Sequence, residues 1–223
     1  MTILTATDDK KITVTEWKPA TWEEYLAYRD AEIPERVRLF FYRHLLLIDM
    51  GAEGINHSTV SDLFTVLLFI WFSQFPEQTA ASFGRCLLEK ANTQAAAPDL
   101  VLYIGEGVPQ WKQGEPRLID LNKWRVPDLI GEISDTTLAS DLDQKKQIYA
   151  ELKIPEYWVI NIQGRQVFAF RLQENGTYQQ CSESVALSGL PIALLEETLA
   201  RLDEGTNISA ALWFSQQIAN LKA

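Results

Sequence analysis

The chain has 223 residues, 47% of them hydrophobic, and carries 30 acidic against 20 basic side chains, a formal net charge of -10. That size buries a substantial core and is most simply one domain. The acidic balance argues against a protein that coats nucleic acid by bulk charge, but it leaves room for a local basic groove or for carboxylates gathered around a metal. Cys86 and Cys181 lie far apart and match no metal-binding spacing, so both are expected to be reduced, buried thiols of a cytoplasmic protein. The opening "MTILTATDDKKI" lacks the apolar core of a signal peptide. The greasiest run, residues 63–72, is well short of the ~20 apolar residues of a membrane span, so no membrane partner is expected.

In chain order, Thr21 followed by Glu24 has the capping-box spacing and starts a short helix. Residues 36–49 are dense in β-formers and supply one or two strands. Residues 56–76 read as a helix capped by Ser58 or Thr59 and stopped before Pro76. It is apolar on nearly every face, so it should be fully buried or shared with a second subunit. Residues 82–90 and 99–105 read as strands. Residues 106–125 are polar and turn-rich, a surface loop in which Trp111, Trp124 and Lys112 either clasp the protein's own body or stack on a single strand.

Residues 128–134 form the next strand, and residues 141–152 a helix capped by Ser140 or Asp141. A tight turn at Gln163-Gly164 joins two further strands, and a turn at Asn175-Gly176 leads to another. These alternations predict a mixed α/β (α+β) fold with a central mixed sheet flanked by helices. One domain, residues 1–223, is expected, with residues 1–20 an extended arm and residues 203–223 a C-terminal helix.

Two segments echo each other: "APDLVLYIG" at residues 97–105 and "VPDLIGEIS" at residues 126–134. The second carries Glu132 inside a strand that should be buried, which is costly unless something pairs with it. Asp128 and Glu132 share a face but stand roughly 13 Å apart. Ligand oxygens lie about 2.1 Å from a magnesium ion, so the two cannot close on one ion. Glu132 therefore needs a partner from a neighbouring strand, and Asp99 is the natural candidate. Asp99 and Asp128, each after a proline, can also be plain turn residues at strand entrances. Gly131 marks a place where a ligand or another backbone approaches closely. Lys145 and Tyr149 share a helix face that can fold back over the strand end, where an ammonium would offset buried carboxylates.

"PDLIGEIS" followed by "DLDQKKQIYAELKIPEYWVI" resembles the signature of the Uma-two family, a restriction-endonuclease group within the PD-(D/E)XK nuclease superfamily. The likeness runs from about residue 21 to about residue 199. It implies a restriction-endonuclease-like core and metal-dependent hydrolysis of phosphodiester bonds in DNA. The family's first strand aspartate falls on Asp99 and its second acidic residue on Glu132. The superfamily lysine normally stands two residues later, where this chain has Ser134. In this group it comes from the following helix, at Lys145, with Lys146 its nearest competitor.

The resemblance thus implies Mg²⁺, with Mn²⁺ as substitute, held by Asp99, Glu132 and the carbonyl of Ile133. Lys145 would be the catalytic lysine, with Asp128, Tyr149, His57 and Ser134 as supports. Glu53 or Asp49 could supply an early carboxylate. DNA is the expected partner, and a homodimer would pair through the helix near Leu67 and through Trp213-Phe214. The alternatives are an inactive nuclease-fold binding or regulatory module, or a phosphodiesterase acting on RNA or a small nucleotide. No base-reading motif chooses among these substrates.

Overall fold

The computed structural model describes residues 16–31, 37–49 and 53–220. Most of the expected N-terminal arm, residues 1–15, lies outside the described residues; near its end, β1 (Lys18–Pro19) is a short strand. Helix α1 (Trp22–Arg29) begins with the anticipated capping box, each partner of the Thr21–Glu24 pair accepting from the other's amide. β2 (Arg38–Tyr42) and β3 (Leu45–Asp49) form a hairpin. Its turn residues Arg43 and His44 both have positive φ, the combination that fits the twist of the flanking strands.

Helix α2 (Ile55–Ser73) starts earlier than its sequence suggests: Gly54 takes the N-cap position, and Ser58 and Thr59 sit within the helix. By length and composition alone it is long and apolar enough to cross a membrane, which corrects the shorter estimate from residues 63–72. It is not buried all round. One side, including Val60, Phe64, Leu67 and Trp71, is buried, while Phe69 is 74% exposed.

Residues 82–90 do not form one strand. β4 (Ala80–Gly84) stops at Arg85, whose φ of 55° breaks the extended backbone, and β5 (Leu88–Lys90) joins a different sheet. β6 (Gln94–Ala96), β7 (Leu100–Ile104) and β8 (Ile119–Asp120) follow, the last inside the expected loop. After β9 (Leu129–Ser134) the chain turns helical as α3 (Leu138–Ser140), a π-helical turn (Asp141–Lys145) and α4 (Lys146–Glu151). Ser140 and Asp141 are therefore inside the helical run, not its caps. β10 (Glu156–Asn161) and β11 (Gln166–Leu172) make the expected hairpin, and β12 (Tyr178–Cys181) pairs with β11. α5 (Ile192–Ala200), which no side-chain cap announces, and the expected C-terminal α6 (Asn207–Asn220) follow.

Among the described residues the strands form two six-stranded mixed sheets, β1-β3-β2-β6-β5-β8 and β12-β11-β10-β9-β7-β4. The fold class is the mixed α+β expected, with two sheets where one was foreseen. β9 runs antiparallel to β7, Leu100 facing Gly131, and parallel to β10, with Glu132 beside Val159. A parallel neighbour needs a crossover, and α3–α4 provide it. Alternation along the second sheet sends Leu102, Leu129, Ile133 and Trp158 into a core with α2, α5 and α6. Val101, Ile130, Tyr157 and Val159 go the other way, to α4 and to Phe40 of the first sheet. α1 covers the remaining face of the first sheet through Tyr25 against Leu39 and Phe41. Phe214 lies fully buried in the α2 core and offers no interface surface; Trp213 is half-buried, with the Arg201 guanidinium 4.8 Å from its ring. Both cysteines are free thiols, half-buried rather than buried as expected.

No backbone comes close enough to Gly131 to demand a glycine there. A Cβ there would meet Leu100 Cβ at 3.5 Å and Ile160 Cδ1 at 3.6 Å, ordinary contact with side chains. Because glycine weakens a strand interior, Gly131→Ala should hold or raise stability, by up to about 1 kcal/mol in urea denaturation. A loss above about 2 kcal/mol, the scale of an overpacked core, would show that the strand pair cannot admit a methyl.

Candidate metal centre and buried ion pair

Asp99 immediately precedes β7 and is 2% exposed. Its Oδ1 accepts from Arg38 of β2 at 2.5 Å, and Arg38 also donates through Nε to Asp49 at 3.0 Å. Its Oδ2 accepts from the Ile133 amide of β9 at 2.8 Å and lies 3.3 Å from His57 Nε2. His57 sits in the first turn of α2, with Nδ1 3.4 Å from Glu53 Oε2. Both imidazole nitrogens are buried, and neither makes an aligned hydrogen bond. Arg85, in the bend that ends β4, pairs with Glu53. Ligand atoms of Glu53, His57 and Asp99 all lie within 4.8 Å of one another.

The electrostatics follow from burial and partners. Desolvation pushes Asp99 up, but His57 and Arg38 outweigh it and bring its pKa down to about 2, so the carboxylate is ionised at neutral pH. Desolvation disfavours the imidazolium of His57, yet Asp99 and Glu53 outweigh that and raise its pKa.

Glu132, 1% exposed, is held from both sides. Lys145 Nζ donates to its Oε2 at 2.9 Å, and the Tyr149 hydroxyl donates to its Oε1. Lys145 is itself 2% exposed; it lies 2.8 Å from Asp141 Oδ1 and 4.5 Å from the centre of the Phe40 ring. Asp141 is fixed in turn, its Oδ2 accepting from the Thr137 hydroxyl at 2.6 Å and its carbonyl from the Tyr157 hydroxyl at 2.8 Å. Burial pushes Glu132 up, to about 7, against the pull of Lys145. Burial alone would discharge Lys145, but Glu132 and Asp141 outweigh it and keep the ammonium protonated. Lys146 turns away, its Nζ 3.6 Å from the centre of the Phe170 ring.

The structure thus gathers Asp99, His57, Glu132, Lys145 and Tyr149 at the end of β9, and it adds Glu53 in place of Asp49, which serves Arg38. Ile133 contributes its amide to Asp99. Ser134 is fully buried with its hydroxyl unbonded to any described protein group. Asp128 is not part of the cluster: it accepts from the Ile104 amide at 2.6 Å and from Arg125 at 2.9 Å, and so pins the opposite end of the β7–β9 pair. Arg38, Arg85 and Asp141 went unrecognised in the sequence. The i, i+4 spacing of Asp141 and Lys145 was the one local signal available, and the two arginines carry none.

Residues 22–203 match the family described as "Uma2: Putative restriction endonuclease". The chain belongs to that family. A crystal structure described as "a putative nuclease belonging to DUF820", from Anabaena variabilis ATCC 29413, is similar, with 19% identity and a TM-score of 0.56. The likeness covers 81% of this chain and 99% of that one, and at this identity it shows the fold alone. No curated protein matches the chain. This chain holds its buried charges as a network, so removing one cation should unbalance it. Lys145→Met leaves Glu132 and Asp141 without their shared ammonium and should cost about 3–5 kcal/mol in urea denaturation at neutral pH. A cost under about 1 kcal/mol, typical of an exposed pair, would contradict the buried network.

Proposed function

We propose that this Uma2 protein is a metal-dependent endonuclease that hydrolyses phosphodiester bonds in DNA. The observation that supports it most is the grouping of Glu53, His57 and Asp99 next to the Glu132–Lys145 pair, in a chain of a restriction-endonuclease family. The residues present fit a divalent cation. Two carboxylates and an imidazole converge, and both buried imidazole nitrogens lack an aligned hydrogen bond. Among the described residues, the carboxylates Glu53, Asp99, Glu132 and Asp141 share Arg38, Arg85, Lys145 and a His57 that Asp99 and Glu53 draw toward its protonated form, and Arg38 also serves Asp49. The cluster is short of positive charge.

In this reading Asp99 is the central ligand, with Glu53 and His57 beside it. The ligand set inferred from family resemblance, Asp99 with Glu132 and the Ile133 carbonyl, shares only Asp99 with it. Carboxylate ligands without a thiolate favour Mg²⁺ or Mn²⁺, and the imidazole tips the balance toward Mn²⁺. Such an ion supplies Lewis-acid charge against the oxygens of a phosphodiester. Arg38 fixes the Asp99 carboxylate toward the cluster, and the Ile133 amide holds it from the other side. Lys145 is enclosed, so its part is to position Glu132 and pull it toward its ionised form against burial, with Tyr149 gripping the second oxygen. Arg85, 34% exposed in its side chain, is the cation best placed to meet a phosphate from solvent.

A non-catalytic module on the same fold has one observation in its favour: both Glu132 oxygens are already taken within the protein. Nicking of supercoiled plasmid decides between the two. Cleavage should require Mg²⁺ or Mn²⁺, vanish with chelator and fall roughly a hundredfold or more in Asp99→Asn. Circular dichroism should confirm that the variant is folded. Intact plasmid after incubation with folded wild type and either metal would favour the module.

A further inference from the structure

A cavity of about 440 Å³ opens beside the bend between β4 and β5, within the ~300–1,000 Å³ of small-molecule sites. Its walls include Phe83, Trp111 and Trp124, with Arg117 and Lys123 at the rim and Gln110 as a neutral polar group. It adjoins the carboxylate cluster through the chain itself. Phe83 and Cys86 line the cavity, and Arg85 between them holds Glu53.

Trp111 is set as a platform. Its indole nitrogen donates to the Glu115 carbonyl at 2.9 Å, and the Arg117 guanidinium lies 5.9 Å from its ring centre, yet the residue is 55% exposed. The carboxylates lining the cavity are already met by cations: Glu115 and Asp120 by Lys123 at 3.6 and 4.0 Å, and Glu89 by Arg29 at 2.8 Å. The cavity is therefore close to neutral and aromatic, a poor place for a phosphate and a good one for a flat, uncharged ring bearing polar edges. A nucleobase has that chemistry, and every base presents a π-face to stack.

We infer that this cavity receives an unpaired nucleobase of the substrate strand, stacked on Trp111, which makes single-stranded or locally opened nucleic acid the preferred ligand. The inference rests on the nuclease reading, since the base would belong to the strand whose phosphate lies at the carboxylate cluster.

The test is fluorescence anisotropy of a short labelled single strand and of the matching blunt duplex, titrated with the full chain in EDTA. Wild type should bind the single strand more tightly than the duplex. Trp111→Ala should weaken single-strand binding roughly tenfold or more and leave duplex binding unchanged, whereas Trp111→Phe should stay within about threefold of wild type. No single-strand binding by wild type, or unchanged binding by Trp111→Ala, would overturn the inference. So would displacement of the strand by an equal concentration of free deoxynucleoside monophosphate, which would mark a nucleotide site. Plasmid nicking by the same proteins separates this result from the nuclease reading. Nicking that persists while Trp111→Ala binds strands normally removes only the cavity assignment. Strand binding in EDTA that depends on Trp111, in a protein that never nicks, removes only the chemistry.

Discussion

The Asp99 carboxylate is where the parts of this fold meet. Arg38 reaches it from the first sheet, the Ile133 amide from the second, and His57 from α2. An isolated ionised carboxylate buried to this degree would be prohibitive, so each of these groups is needed to keep it charged. Moving any one element would leave Asp99 under-compensated. The geometry of the candidate site and the docking of the two sheets are therefore one constraint.

The second buried charge system has the same logic with different partners. Glu132, Lys145 and Asp141 form a chain of charges enclosed by Phe40, Tyr149 and Tyr157. A buried ion pair gives little net stability against an apolar replacement of equal volume, because desolvation of both ions offsets their attraction. A fold that keeps two such systems side by side is spending stability on a local electric field. Strongly shifted carboxylates such as Asp99 and Glu132 are more often found at working sites than elsewhere. The π-helical turn at Asp141–Lys145 fits the same picture, since such turns recur at functional positions and here bring both ends of one turn to the same ion pair.

Much of this was legible in the sequence because the signals were local or covalent. The capping box at Thr21, the hairpin at Gln163-Gly164 and the buried strand around Glu132 all declare themselves within a few residues. The need of Glu132 for a cation was readable from burial alone, and the helix that follows offered Lys145. The rest depends on contacts between distant segments. Nothing near Arg38 or Arg85 says that each will meet a carboxylate from another element. The break at Arg85 splits an apparently continuous strand because a non-glycine residue takes a positive φ there, a choice set by tertiary packing. Asp128 shows the converse: it repeats the motif of Asp99 yet accepts from the Ile104 amide and from Arg125, at the other end of the strand pair. Identical dipeptides acquired different roles because one faces the junction of the sheets and the other faces away.

The most direct measurement is calorimetric titration of Mn²⁺ into the folded protein and into Asp99→Asn, with Glu132→Gln alongside. A cation seated by Glu53, His57 and Asp99 predicts one saturable site in the wild type that disappears in Asp99→Asn and survives, weakened, in Glu132→Gln. A folded Asp99→Asn that still takes up Mn²⁺ with the wild-type heat and stoichiometry would contradict it.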